Sequence, residues 1–149
     1  MTTDLRNLPP ISEVTQSLLA VEDDALVPGN CLQAAVAAAL GLPLDAVPHL
    51  GTFTWWDTAL KLWLRGRGFD ARQVHVPPIP AERCIVTGKS PRGVYHAVVG
   101  EHGEVAWDPH PSRGGLVEGA AAWIIEPWPT PESDRACLVC RTIPEVSVV

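Results

Sequence analysis

Residues 29–41 constrain the fold most strongly, and they read Gly-Asn-Cys-Leu-Gln-Ala-Ala-Val-Ala-Ala-Ala-Leu-Gly. The large apolar residues recur at helical spacing and the alanines allow close packing, so the pattern predicts a buried helix. Asn30 is a preferred N-cap, and Gln33 stands where a capping-box side chain can reach back to it. Gly41 suits the left-handed position after a helix, and Pro43 prevents continuation. The segment therefore predicts a central helix that begins at the asparagine and ends before the glycine.

Cys31 is expected in the first turn of this helix. The helix dipole and the free N–H groups there favour a thiolate over a thiol, which makes Cys31 a candidate nucleophile. Free cysteine is also among the most buried residue types, so a small apolar residue in a packed helix is an alternative interpretation. The residues downstream are needed to decide between the two.

The composition is that of one globular domain. The chain has 149 residues, of which 46% are hydrophobic and 19% charged. This length supports one core and hardly two, so we expect a single domain over residues 1–149. Residues 1–10 are expected to form a loose lead. The net charge of −6 and the scattered arginines argue against a nucleic-acid partner, and the oligomeric state is left open.

The sequence carries no predicted membrane or export segment. No apolar run approaches the roughly 20 residues that span a bilayer, and the N-terminus lacks the apolar stretch of a signal peptide. Four cysteines are too sparse for a disulfide framework in a chain of this length. We therefore expect a reduced, cytoplasmic protein with no membrane partner, in which the Cys31 thiol is free.

Helical patterns come first along the chain and strand patterns follow. Residues 11–20 suggest a short helix capped by Ser12, and a second helix is predicted from about Trp55 to Arg67. Alternating or apolar runs predict strands at 71–76, 84–87, 94–100, 105–107, 123–126 and 137–143. This order predicts an α+β fold with N-terminal helices packed on a C-terminal antiparallel sheet.

A histidine stands in the clearest predicted strand. His96 shares a face with Val94 and Val98, and a buried histidine needs a polar partner. The turn at residues 101–104 brings Asp108 within about one residue of the position opposite His96. A three-residue turn, or a bulge at the strand end, would place Asp108 directly across from it. Asp108 would then hold one tautomer of the imidazole while the other nitrogen faces a nucleophile.

The order of cysteine at a helix start, histidine on a strand and aspartate after the next strand resembles the papain-like cysteine peptidase superfamily. The wider motifs are similar to small papain-fold proteins of bacteria and their phages. They are Gly-Asn-Cys-Leu-Gln-Ala-Ala-Val-Ala at 29–37, Leu-Gly-Leu-Pro-Leu-Asp-Ala-Val-Pro-His at 40–49, His-Ala-Val at 96–98 and Asp-Pro-His-Pro-Ser-Arg at 108–113. The resemblance covers roughly residues 28–116. It implies a papain-like fold whose central helix opens at the cysteine.

The resemblance also implies a function. A Cys31–His96–Asp108 triad would cleave an amide, peptide or isopeptide bond in a peptide or protein substrate through a thioester. No metal or organic cofactor is implied. Two alternatives remain open: an acyltransferase that uses the same thioester, and a catalytically inactive papain-fold binding module.

An oxyanion-hole side chain usually stands shortly before the cysteine in this superfamily, but Ala25 occupies the usual position. Gln16 could serve if residues 17–30 loop out with the acidic residues 22–24 at the tip. The alternative is an exposed helix residue. Asn30 is a second candidate donor to the substrate, and the Cys31 backbone N–H should contribute in either case.

Two further motifs have competing interpretations. Arg113, in the loop after Asp108, could bind a substrate carboxylate or be a solvated loop arginine. Cys137 and Cys140 have the C-x-x-C spacing of metal and redox sites, but no second cysteine pair accompanies them. A zinc or redox protein is therefore the weakest of the functional interpretations.

Overall fold

The computed structural model describes residues 8–19 and 29–128. Within them the chain forms two α-helices, two short 3-10 turns (Leu44–Ala46 and Leu50–Thr52) and five strands. The helices are α1 (Cys31–Ala39) and α2 (Trp56–Arg65), and the strands are β1 (Phe69–His75), β2 (Cys84–Lys89), β3 (Tyr95–Glu101), β4 (Glu104–Trp107) and β5 (Glu118–Pro127). The predicted α+β class is therefore confirmed. None of the helices in these ranges is both long and apolar enough to cross a membrane.

The five strands form one antiparallel sheet in the order β1-β5-β2-β3-β4. β5, the last described strand, lies between β1 and β2. The register shifts between Thr87 and Gly88 on the β5 side of β2, and between Val99 and Gly100 on the β4 side of β3. Gly88 is required at the first shift, because a Cβ there would lie 2.1 Å from the Glu118 carbonyl oxygen.

Helix α1 is the buried centre of the fold. All six residues from Ala34 to Ala39 have no exposed surface, and the helix packs against β2, β3 and both 3-10 turns. Its small side chains explain this burial, since they let neighbouring backbones approach closely. Gly41, with φ of 65°, ends the helix as predicted. The Gly41 and Leu42 N–H groups donate to the carbonyls of Ala38 and Ala37 in a Schellman motif.

Helix α2 covers the β1 side of the sheet. Leu60 and Leu64 are fully buried, and the Trp56 ring meets the Trp123 ring of β5 edge to face at 4.8 Å between centroids. The helix is shorter than predicted, since it runs from Trp56 to Arg65. Leu60 and Leu64 therefore belong to the core, and Trp56 packs against it.

The short helix predicted for residues 11–20 is wrong, because residues 11–19 contain no helix. Their backbone groups bond to other parts of the molecule instead. The Ser12 N–H donates to the Ala38 carbonyl at the end of α1, and the Gln16 N–H donates to the Pro109 carbonyl, both at 3.0 Å. Ser12 caps nothing, since its buried hydroxyl has no partner among the described residues. Tertiary hydrogen bonds thus replace those a helix would make.

The capping role predicted for Asn30 is also wrong. Its side chain makes no capping bond to α1. Instead, Oδ1 accepts the backbone N–H groups of Ser17 and Leu18 at 3.0 and 2.8 Å. Asn30 therefore fastens the N-terminal segment to the start of the helix.

A buried arginine joins three further elements. Arg83 pairs with Glu101 at the end of β3, with 2.7 Å between Nε and Oε2, and Nη1 donates to the carbonyls of Pro9 and Ala39. Pro9, which falls in the predicted loose lead, thus lies against the end of α1. The strand predicted for 137–143, with Cys137 and Cys140, lies outside the described residues.

Candidate active site

Cys31 is the first residue of α1, as the sequence predicts. Its side chain is partly buried and its thiol is in no disulfide. The Cys31 N–H makes no backbone hydrogen bond to another residue of the described ranges, as expected in the first turn of a helix. A sulfur atom and a backbone donor thus stand together at the positive end of the helix dipole.

His96 and Asp108 form a buried pair. His96 is the second residue of β3, and its Nε2 lies 2.6 Å from Asp108 Oδ1. The two side chains are 2% and 3% exposed. β4 pairs only with Val99–Glu101, so no β4 residue covers the edge of β3 beside His96.

The bulge between β3 and β4 determines where Asp108 lies. Gly100 pairs with Val105, but Val99 pairs with Trp107, so Ala106 is the extra residue. Continuing this register sets Asp108 across from Val98, on the face of His96, and its side chain reaches His96 diagonally. Without the extra residue Asp108 would stand across from Ala97, on the wrong face. A bulge, one of the two predicted alternatives, is therefore present, but the placement predicted from it is wrong, because Asp108 does not lie directly across from His96.

The loop after β4 holds Asp108 ionised. The His110 N–H donates to Oδ1 at 2.8 Å, and the Gly115 N–H donates to Oδ2 at 2.6 Å. Burial by itself raises the pKa of Asp108, but the hydrogen bonds from His96 and from these two N–H groups lower it to about 2. A carboxylate with both oxygens occupied is a fixed anion beside His96.

Cys31 is the second partner of His96. Burial by itself lowers the pKa of His96, but hydrogen bonds to Asp108 and Cys31 and the charges of both raise it to about 9. Because Asp108 occupies Nε2, the nitrogen left for the cysteine is Nδ1. The structure thus brings together the three residues predicted as a triad, with His96 between a carboxylate and a sulfur.

Gln16 lies beside the start of α1 rather than in solvent. The residue is 7% exposed, so the alternative of an exposed helix residue is wrong. Its Nε2 donates to the Leu18 carbonyl at 2.8 Å, the same oxygen that accepts the Asn30 N–H at 3.1 Å. Its buried Oε1 has no partner among the described residues.

The loop predicted between Gln16 and Cys31 is closed at its base. Besides its contacts with the Ser17 and Leu18 backbone, Asn30 donates from Nδ2 to the Ser17 hydroxyl at 3.0 Å. The two ends of this stretch are therefore side by side. Residues 20–28, which include the predicted acidic tip, lie outside the described residues. The roles of Gln16 and Asn30 toward a substrate stay predictions.

Arg113 fastens the loop that follows Asp108. Its Nη1 donates to the carbonyls of Asp108 and His110 at 2.9 and 2.8 Å. Its Nη2 donates to the Thr15 hydroxyl at 2.8 Å, and the guanidinium lies 4.2 Å from the centre of the Trp107 ring. These contacts tie the loop to the N-terminal segment. The predicted binding of a substrate carboxylate by Arg113 stays a prediction.

Sequence reasoning missed His110 as a residue of this site. The His110 ring meets the His96 ring edge to face, with 6.0 Å between centroids. The available signal was its position two residues after Asp108, where the backbone turns back onto the aspartate oxygen. Such a turn brings the residues that follow Asp108 back beside its carboxylate.

No protein-family model, curated protein or solved structure matches the chain. Among the described residues no group of three or more histidine, cysteine or acidic side chains is arranged to hold a metal ion. Inference about function therefore starts from the geometry around Cys31.

Proposed function

We propose that the chain is a papain-like cysteine hydrolase that cleaves an amide, peptide or isopeptide bond in a peptide or protein substrate. One observation carries the proposal. Buried His96 is hydrogen-bonded to an ionised carboxylate, and that carboxylate together with Cys31, which opens a buried helix, raises the pKa of His96 to about 9. This is the arrangement that activates a thiol as a nucleophile.

The reaction follows from these three residues. The Cys31 sulfur attacks the scissile carbonyl carbon, and the proton that it has given up resides on His96. His96 then donates that proton to the leaving amine as the C–N bond breaks, which leaves a thioester. His96 next takes a proton from a water molecule, whose oxygen attacks the thioester and releases the acid and the free cysteine. Asp108 keeps the imidazole oriented and stabilises its charged form.

Two donors are available for the oxyanion that forms in each step. The Cys31 N–H is one of the free donors of the first helical turn. Gln16 Nε2 carries a second hydrogen besides the one given to Leu18. The closed base of the loop that separates Gln16 from Cys31 supports this assignment, because it returns the chain beside Asn30.

The fold is compatible with the same assignment. A buried helix that opens at the nucleophile packs on an antiparallel sheet that carries the general base and its orienting carboxylate. We therefore propose the papain-like architecture together with the activity.

Selective labelling of Cys31 tests the proposal. Native protein is treated with chloroacetamide, an amide-shaped electrophile, at neutral pH and followed by intact mass. The fastest adduct is expected on Cys31, so Cys31→Ser should abolish it and Cys84→Ala should retain it, because Cys84 is fully buried. His96→Gln should slow labelling at least about tenfold, whereas His75→Gln, at the opposite edge of the sheet, should not.

Hydrolysis is checked on a library of fluorogenic peptides, with Cys31→Ser as the inactive control. A folded protein in which Cys31 labels no faster than denatured cysteine would overturn the proposal. Hydrolysis that survives Cys31→Ser would also do so.

A further inference from the structure

His110 stands beside the proposed catalytic histidine but has no part in the triad. Its ring lies at 87° to the His96 ring, with 6.0 Å between centroids. The residue is partly exposed, so its free ring edge can meet a bound molecule. A second histidine at this position either shields His96 or contacts the substrate.

The hydrogen bonds of His110 determine its tautomer. The backbone N–H of Ser112 donates to Nδ1 at 3.0 Å, so Nδ1 carries a lone pair and the ring proton is on Nε2. The Ser112 hydroxyl lies 2.8 Å from the same nitrogen and accepts a hydrogen bond from Arg92 at 3.1 Å. This chain of contacts fixes the ring and makes Nε2–H a donor.

His110 is also held neutral. Burial, the charge of Arg92 and the charge of His96 lower its pKa, and they outweigh the opposite effect of Asp108. Among the described residues, Nε2 has no hydrogen-bond partner. The result is an uncharged, oriented and unused donor next to the imidazole that moves the proton.

We propose that His110 Nε2–H donates a hydrogen bond to the part of the substrate that leaves as the amine, and so selects leaving amines that carry a nearby acceptor oxygen. The inference rests on the proposed function. His96 must deliver its proton to the leaving nitrogen, so the leaving part lies at the His96 ring, whose centre is 6.0 Å from that of the His110 ring. An amino-acid residue carries a carbonyl oxygen three bonds beyond that nitrogen, whereas a simple alkylamine carries none. The preferred bond is therefore one whose amine side is an amino-acid residue.

Acyl transfer to added amines tests this, since an attacking amine occupies the site of the leaving amine by microscopic reversibility. Phenyl thioacetate acetylates Cys31 with release of thiophenol. Glycinamide or isobutylamine, which are nearly isosteric, is then added. The amine nitrogen attacks the acetyl carbon, the C–S bond breaks, and the amine proton passes to His96. Loss of acetyl-enzyme is followed by intact mass.

For each variant, the rate constants for loss of acetyl-enzyme are measured with glycinamide and with isobutylamine. The readout is the ratio of the first to the second. Relative to the native protein, His110→Phe and His110→Met should lower this ratio about three- to tenfold, the effect of losing one hydrogen bond. His110→Gln, whose amide N–H has similar reach, should retain most of it. His75→Phe should leave both rates unchanged, because His75 lies on the opposite edge strand.

The ratio is interpreted for each of His110→Phe and His110→Met that keeps the native melting temperature. If the ratio is unchanged in such a variant, the inference is overturned. A phenylalanine still shields His96, so a shielding role predicts that His110→Phe keeps the ratio. Failure of the native protein to acetylate at Cys31 would instead overturn the proposed function on which the inference depends. The two failures are therefore distinguishable.

Discussion

The charge on His96 depends on the neighbouring side chains of Asp108 and Cys31. Its pKa is about 9 because Asp108 and Cys31 stabilise the imidazolium more than burial opposes it. Asp108→Asn keeps the size of the side chain but removes the negative charge, so the His96 pKa should fall by about one pH unit or more. NMR titration of the imidazole resonances measures this directly. A His96 that titrates near 6.5 in both proteins would contradict the assigned electrostatics.

Gln16 is predicted to act on the oxyanion. Gln16→Ala should reduce peptide turnover about a hundredfold or more, the effect of losing one oxyanion donor. Some loss of stability, about 1 kcal/mol, is also expected because the bond to Leu18 disappears. Turnover is therefore measured where the variant is fully folded.

Ser17→Ala is the matched control for Gln16→Ala. It removes a neighbouring contact with Asn30 without touching the donor. An equal loss of activity in both variants would assign the effect to loop closure instead.

The residues of the site were accessible from sequence to different degrees. Cys31 and His96 were predictable because a helix start and the period-two alternation of a strand fix their directions locally. The face of Asp108 depends on the bulge between β3 and β4, so the sequence placed it only to within about one residue. The surroundings of Gln16 and Asn30 were not predictable, since their partners lie in segments whose approach is set by tertiary hydrogen bonds. The same holds for Arg113, whose contacts with Trp107 and Thr15 join distant parts of the chain.

Among the elements, the strands and both helices were visible in the hydrophobic pattern. The false helix at 11–20 shows where that pattern fails. Its apolar residues do meet the core, as Ile11 and Val14 do, but its backbone bonds to α1 and to the loop after β4. An apolar pattern indicates which residues are buried. It does not distinguish a helix from an irregular segment that is buried on one side.

Arg83 connects α1, β3 and the N-terminal segment, so the packing of these elements against one another depends on its charge. Arg83→Leu leaves Glu101, with a side chain only 15% exposed, without its arginine partner and with only the exposed His102 imidazole, 3.6 Å away, beside it. We expect a loss of about 3–5 kcal/mol in the free energy of unfolding, the usual cost of breaking a buried ion pair from one side. Urea denaturation measures it.

Arg72→Leu is the control for Arg83→Leu. Arg72 also pairs with glutamates, but its side chain is 52% exposed. Arg72→Leu should lower the free energy of unfolding by no more than about 1 kcal/mol. Equal losses in the two variants would show that the burial of Arg83 contributes nothing.

For the molecule as a whole, the buried carboxylate makes stability depend on acid. The folded-state pKa of Asp108 is about 2, below its usual value of 3.8. Its ionisation therefore stabilises the fold fully above about pH 4, and this stabilisation is lost as the pH falls through about 2. At pH 5 the free energy of unfolding of the native protein should exceed that of Asp108→Asn by about 2 kcal/mol. This difference should disappear on acidification.

Urea unfolding of both proteins between pH 5 and pH 2 provides the measurement. Asp57→Asn, on the exposed side of α2, should instead follow the native curve. A constant difference between the native protein and Asp108→Asn over this range would refute the link between acid stability and the triad.

The inner position of β5 has a consequence for synthesis. Among the described strands β1 pairs only with β5, and Trp123 and Ile125 of β5 belong to the core that buries α1. A nascent chain therefore cannot enclose its central helix until residue 127 has left the ribosome tunnel. Until then the cysteine-bearing helix has no complete sheet to pack on. The surroundings of Cys31 are therefore completed only after β5 has been synthesised, however early the helix itself is made.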